Sequence, residues 1–77
     1  MTSTEFLLRA LVFGKENGLA FKHSETADWI ELLHEPPSGT GWFRLRFETQ
    51  EIAAADAGQV DRWLRQGLGD HRRESAR

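Results

Sequence analysis

Cysteine and tyrosine are absent from this chain, lysine occurs only at positions 15 and 22, and proline only at 36 and 37. Without cysteine there is no disulfide to staple the fold, no thiolate zinc site and no thiol nucleophile. The two adjacent prolines enforce one break and leave the rest of the chain open to regular structure. No long apolar run exists either. The longest candidate, Phe6 to Phe13, is interrupted by Arg9 and preceded by Glu5. It is too short to span a bilayer and wrongly flanked for a secretory leader. The expectation is therefore a cytoplasmic protein without membrane attachment. Eight arginines against two lysines fit a GC-rich, bacterial or phage-like source.

What is present is small. At 77 residues the chain is one domain near the size where a single core is marginal, so stability rests on packing or on association. The formal charge is −2, which argues against wholesale nucleic-acid binding. The charge is uneven, because residues 62–77 hold five arginines against Asp70 and Glu74, a net +3, and the remainder carries −5. From Asp70 onward, "DHRRESAR" has no apolar period and reads as a disordered polar tail over 70–77, after a single domain at 1–69.

The clearest pattern is "GTGWFRLRFET" (39–49). Trp42, Arg44, Arg46 and Glu48 alternate with Phe43, Leu45 and Phe47, the period-2 signature of a half-buried strand. Upstream, "DWIELLHE" (28–35) leads into "PPSGTG", a run of turn formers. A hairpin through that loop pairs Ile30 with Phe47, Leu32 with Leu45 and His34 with Phe43 on one face. On the other face it pairs Glu31 with Arg46, Leu33 with Arg44 and Trp29 with Glu48. One face is then apolar, and the other acquires a cross-strand ion pair. A helix is the competing reading of 25–35, with Ser24 as N-cap and a stop before Pro36.

The N-terminal third has two readings as well. Thr2 and Glu5 could form a capping box that opens a helix closing at Gly14. Asn17-Gly18 between apolar segments instead signals a tight hairpin. The hairpin is the reading adopted, with Phe6, Leu8, Ala10 and Val12 on one side and Leu7, Leu11 and Phe13 on the other. At the C-terminal end, Asp56 and Gln59 resemble a capping box, and Val60, Trp63, Leu64 and Leu68 recur at helical spacing before Gly67 and Gly69 stop the helix. Residues 50–58 connect strand to helix and are themselves part-helical. The expected fold class is α+β: an antiparallel sheet of three to four strands with the amphipathic helix from Asp56 to Leu68 on one face.

Catalytic signatures are lacking. His23, His34 and His71 have no metal-ligand spacing, and His34 reads as a packed or capping histidine. No nucleophile elbow and no phosphate loop appears. The expectation is no enzyme, no cofactor, no metal and no small-molecule substrate. What remains is a face. Trp29, Leu33 and Trp42 as anchors, with Arg44 and Arg46 as rim, point to a protein partner or a homodimer, since Trp and Arg are over-represented at interface hot spots. That is the pattern of a small regulator, inhibitor or accessory subunit. Nucleic-acid binding through Arg62, Arg65, Arg72 and Arg73 is the alternative.

Overall fold

The computed structural model describes residues 1–75. Its elements are α1 (Ser3–Glu16), β1 (Phe21–Glu25), β2 (Trp29–His34), β3 (Phe43–Glu48), α2 (Thr49–Ala54) and α3 (Ala57–Ser75). The strands form one antiparallel sheet in the order β1-β2-β3, so the class is α+β, as the sequence implies. No helix among the described residues is long and apolar enough to cross a membrane.

The β2–β3 hairpin has the register that alternation dictates: Trp29 opposite Glu48, Ile30 opposite Phe47, Glu31 opposite Arg46, Leu32 opposite Leu45, Leu33 opposite Arg44 and His34 opposite Phe43. The register is fixed because a slip of one residue would send Ile30 and Leu32, both fully buried, to the opposite face. On the other side β2 pairs with β1, Phe21 lying opposite His34 and Glu25 opposite Ile30. The turn between them is held by Thr26, whose hydroxyl accepts from the backbone N–H groups of Asp28 and Trp29 at 3.2 Å each.

The N-terminal segment is a helix and not a hairpin. Thr2 and Glu5 form the reciprocal capping box, Glu5 N–H donating to Thr2 Oγ1 at 3.1 Å and Thr2 N–H to Glu5 Oε1 at 3.4 Å. Asn17-Gly18 serves as the helix stop. Asn17 is the C-cap, Gly18 has φ +72°, and Leu19 N–H returns to Gly14 O at 2.7 Å. A residue with positive φ after the last turn suits this closure as well as it suits a tight hairpin, and glycine favours both. The competition was settled by burial. As a helix, the segment buries Phe6, Ala10 and Gly14 in one stripe and turns Leu8 and Val12 outward, whereas strand periodicity would place all five on the same face.

Both long helices lie on the same face of the sheet. Phe6 and Ala10 of α1 and Val60 and Leu64 of α3 join Ile30, Leu32 and Phe47 in one core, closed at one end by Ile52 and Ala55. The Phe6 ring meets Phe47 edge-on at 5.1 Å, and Trp63 stacks on Phe47 from the other side at 5.7 Å. The α1 backbone at Gly14 comes down on Phe21, and His71 of α3 stacks on Phe43 at 4.7 Å. The Met1 nitrogen reaches the carbonyls of Ala53 and Ala55, just before α3 begins. The helices therefore run side by side in the same direction over the sheet. The alternation of strand residues fills this layer with Phe43, Leu45 and Phe47 and turns Arg44, Arg46 and Glu48 away from it.

Helix α3 opens as expected, Asp56 Oδ1 accepting from Gln59 N–H at 2.8 Å. It does not stop at Gly67 or Gly69 but continues through Ser75. Residues 70–75 are thus helical where a disordered tail is expected, and the expected disorder at 76–77 falls outside the described residues. The reason lies in packing. A Cβ at Gly67 would sit 2.6 Å from Leu45 Cδ2, so this glycine lets the helix approach β3 rather than ending it. His71 and Leu68 then continue the buried stripe one turn further, and Arg73 pairs with Asp70.

Candidate functional site

The second face of the sheet has no layer above it. It is built from Lys22 and Ser24 of β1, Trp29, Glu31 and Leu33 of β2, and Arg44, Arg46 and Glu48 of β3, and none of these is fully buried. A helical N-terminus could have covered this face. Instead α1 lies beside α3 on the opposite side, so Trp29 and Leu33 stay half-buried with no helix laid over them. Leu7, Leu11 and Phe13 belong to α1 and take no part.

The centre of the face is a row of alternating character. Glu31 is the pivot. Its carboxylate takes Arg46 at 3.4 Å on one oxygen and Arg44 at 3.6 Å on the other, and only 17% of its side chain is exposed. The Arg46 guanidinium lies over the Trp29 ring at 4.3 Å, in cation–π geometry. Leu33 stands opposite Arg44 on one side and Lys22 on the other. The row thus reads Trp29, Arg46, Glu31, Arg44, Leu33. One carboxylate is shared between two guanidinium groups, each with further N–H donors directed outward. At the hairpin end Lys22 reaches Glu35 at 3.9 Å.

Trp42 stands apart from this row. It precedes β3, at the hairpin end of the sheet, whereas Trp29 begins β2 at the opposite end. Its indole N–H donates to Gly39 O at 3.3 Å, and 52% of the residue is exposed. With Arg44, Asp70, His71 and Glu74 it lines a shallow groove between β3 and the last turns of α3. Of the five expected anchor and rim residues, four share the open face and Trp42 marks its edge.

The expected nucleic-acid residues are spread along α3. Arg62 and Arg65 are exposed in its middle, and Arg72 and Arg73 in its last turn. Asp61, Asp70 and Glu74 are interleaved with them on the same helix, and Arg73 is already paired with Asp70. A phosphate backbone would meet both signs of charge. His34 caps the backbone, its Nδ1 accepting from Ala20 N–H at 3.1 Å. Among the described residues, no three His, Asp or Glu side chains are grouped as metal ligands.

Two features of the helical side escape a reading of the sequence as strands. Arg9 of α1 makes a two-pronged contact to Asp61 of α3, Nε at 2.8 Å and a terminal nitrogen at 3.0 Å. Hydrogen bonds from Arg9 hold the Asp61 carboxyl below its ordinary range, with the Arg9 and Arg65 charges adding to the effect, and the same contact raises Arg9. Alongside it, Leu8, Leu11 and Val12 stand exposed on α1, at 61%, 38% and 56%. The capping box at Thr2 and Glu5 was the signal that could have found this stripe. Once α1 is a helix, positions 8, 11, 12 and 15 share one face. No family model, curated protein or solved structure matches the chain.

Proposed function

We propose that the chain is a non-enzymatic protein-binding module, a regulator, inhibitor or accessory subunit, that docks its partner on the open face of the sheet. Trp29 and Leu33 are the apolar anchors, Arg44 and Arg46 the charged rim, and Trp42 extends the contact at the hairpin end. The observation that supports this reading is the single-sided cover of the sheet, with half-buried apolar side chains and guanidinium donors on the face that has no second layer. The solvent face of an antiparallel sheet is ordinarily polar, whereas this one carries Trp29 and Leu33, and exposed apolar surface rimmed by charge marks association sites. The partner that fits offers an apolar centre flanked by carboxylates, placed to accept from Arg44 and Arg46 as Glu31 already does.

The test is retention of host proteins on the immobilised chain, comparing wild type with Trp29→Ser/Leu33→Ser and with Trp42→Ala. The expected result is a specific protein retained by wild type, lost with the double variant and weakened with Trp42→Ala, all three sharing one far-UV CD spectrum. Retention should survive physiological salt. Material that is retained only at low salt, and is released instead by changes at Arg62, Arg65, Arg72 and Arg73, would replace this reading with nucleic-acid binding, whose affinity falls steeply with salt.

A further inference from the structure

We infer that the chain associates with a second copy of itself through the outer face of α1, a surface separate from the open sheet face. Leu8, Leu11 and Val12 are three of the four large apolar residues that stand exposed among the described residues, and they occupy adjoining positions on one helix. Spacings of three and four residues make them neighbours, with Leu8 and Val12 on the side opposite the buried Phe6, Ala10 and Gly14 and Leu11 at its flank. Next to them, a groove of about 750 Å³ runs between α1 and α3, with Leu8, Val12 and Phe13 on one wall and Ala57, Asp61 and Arg65 on the other.

The occupant follows from the charges. An antiparallel pair of α1 helices, crossing at the level of Ala10, sets Leu8 of each copy against Val12 of the other. The same two-fold arrangement sets Glu5 of each copy at the level of Lys15 of the other. Glu5 and Lys15 are both exposed, and Lys15 has no ion-pair partner among the described residues. The surface is therefore complementary to itself in both apolar pattern and charge, which an isologous interface requires. Being confined to α1, about 21 Å of helix, the contact lies at the small end of the range for specific interfaces, and the dimer is reversible and concentration-dependent.

Sedimentation velocity over a wide concentration range tests this. The wild-type mass should rise from monomer towards twice that value, and Leu8→Glu should remain monomeric throughout with an unchanged CD spectrum. Two charge variants that keep the helix cap sharpen the result, because glutamine can replace glutamate in a capping box. Glu5→Gln alone should weaken the dimer, roughly two- to tenfold in Kd, since each dimer loses two exposed ion pairs. Lys15→Glu should weaken it as well. In the Lys15→Glu background, Glu5→Gln should reverse sign and strengthen association, because it removes a like-charge contact. A wild type that stays monomeric at the highest concentration overturns the proposal, as does Leu8→Glu dimerising like wild type or Glu5→Gln acting identically in both backgrounds. Loss of the dimer in Trp29→Ser/Leu33→Ser, with Leu8→Glu unaffected, would also overturn it and move self-association to the sheet.

Discussion

The same three strands make two faces of opposite fate. On one, Ile30, Leu32, Phe43 and Phe47 are buried beneath two parallel helices. On the other, Trp29, Glu31, Leu33, Arg44 and Arg46 have only each other for cover. The difference teaches where a chain of this size holds its fold. Both long helices are needed to close one core, and none is left for a second layer. The open face has no second layer above it, and its residues make local contacts: a shared carboxylate, a guanidinium lying on an indole, and a leucine between Arg44 and Lys22.

That contrast can be broken from either side. The largest effect belongs to the covered face. Phe6→Ala removes a fully buried ring in edge contact with Phe47, and it should cost about 3–5 kcal/mol in urea unfolding. A loss near 1 kcal/mol would mean that α1 is dispensable to the core. Next come the two helical glycines. Gly67→Ala drives a methyl into Leu45 and should destabilise, by about 1–3 kcal/mol for the overpacking, offset by up to about 1 kcal/mol of helix propensity. At Gly69 only an arginine tip lies near, so Gly69→Ala should stabilise by up to about 1 kcal/mol. Equal signs for the two would contradict the close approach of α3 to β3.

The smallest effect belongs to the helix–helix ion pair. The Asp61 carboxyl lies below its ordinary range in the folded chain, first through hydrogen bonds from Arg9. Its contribution is therefore full above the unfolded aspartate value of about 3.9 and is lost as pH falls through the lower folded value. Asp61→Asn should lower the unfolding midpoint slightly at pH 7 and by less at pH 3. The pair is exposed, so high salt should shrink the difference.

Legibility in the sequence followed the strength of the period. The β2–β3 register was readable because Phe43, Leu45 and Phe47 alternate without exception with charged residues, a one-residue slip would set Ile30 and Leu32 against the charged face, and the length of the loop at 36–41 fixes the rest. The composition of the second face followed from that register, but not its exposure, which depends on where α1 lies. The N-terminal helix was not recovered, because Asn17-Gly18 is chemically suited to a hairpin turn and to a helix stop alike, and only the exposure of Leu8 and Val12 beside the buried Phe6 and Ala10 separates the two. The end of α3 was misplaced for a related reason. Glycine breaks helices by its flexibility, but at Gly67 the missing side chain is what allows contact with Leu45. The position of α1 beside α3 is a tertiary choice that no local pattern records, and with it went the stripe at Leu8, Leu11 and Val12.

Most direct of all is the urea unfolding of Trp29→Ser/Leu33→Ser, followed by far-UV CD beside wild type and Phe6→Ala. A face without a layer above it should lose its cation–π contact, part of its strand preference and the partial burial of two side chains, about 3 kcal/mol or less in sum, below the Phe6→Ala loss. A double variant as damaged as Phe6→Ala, or unfolded outright, would show that these side chains hold the fold together and are not free to meet a partner.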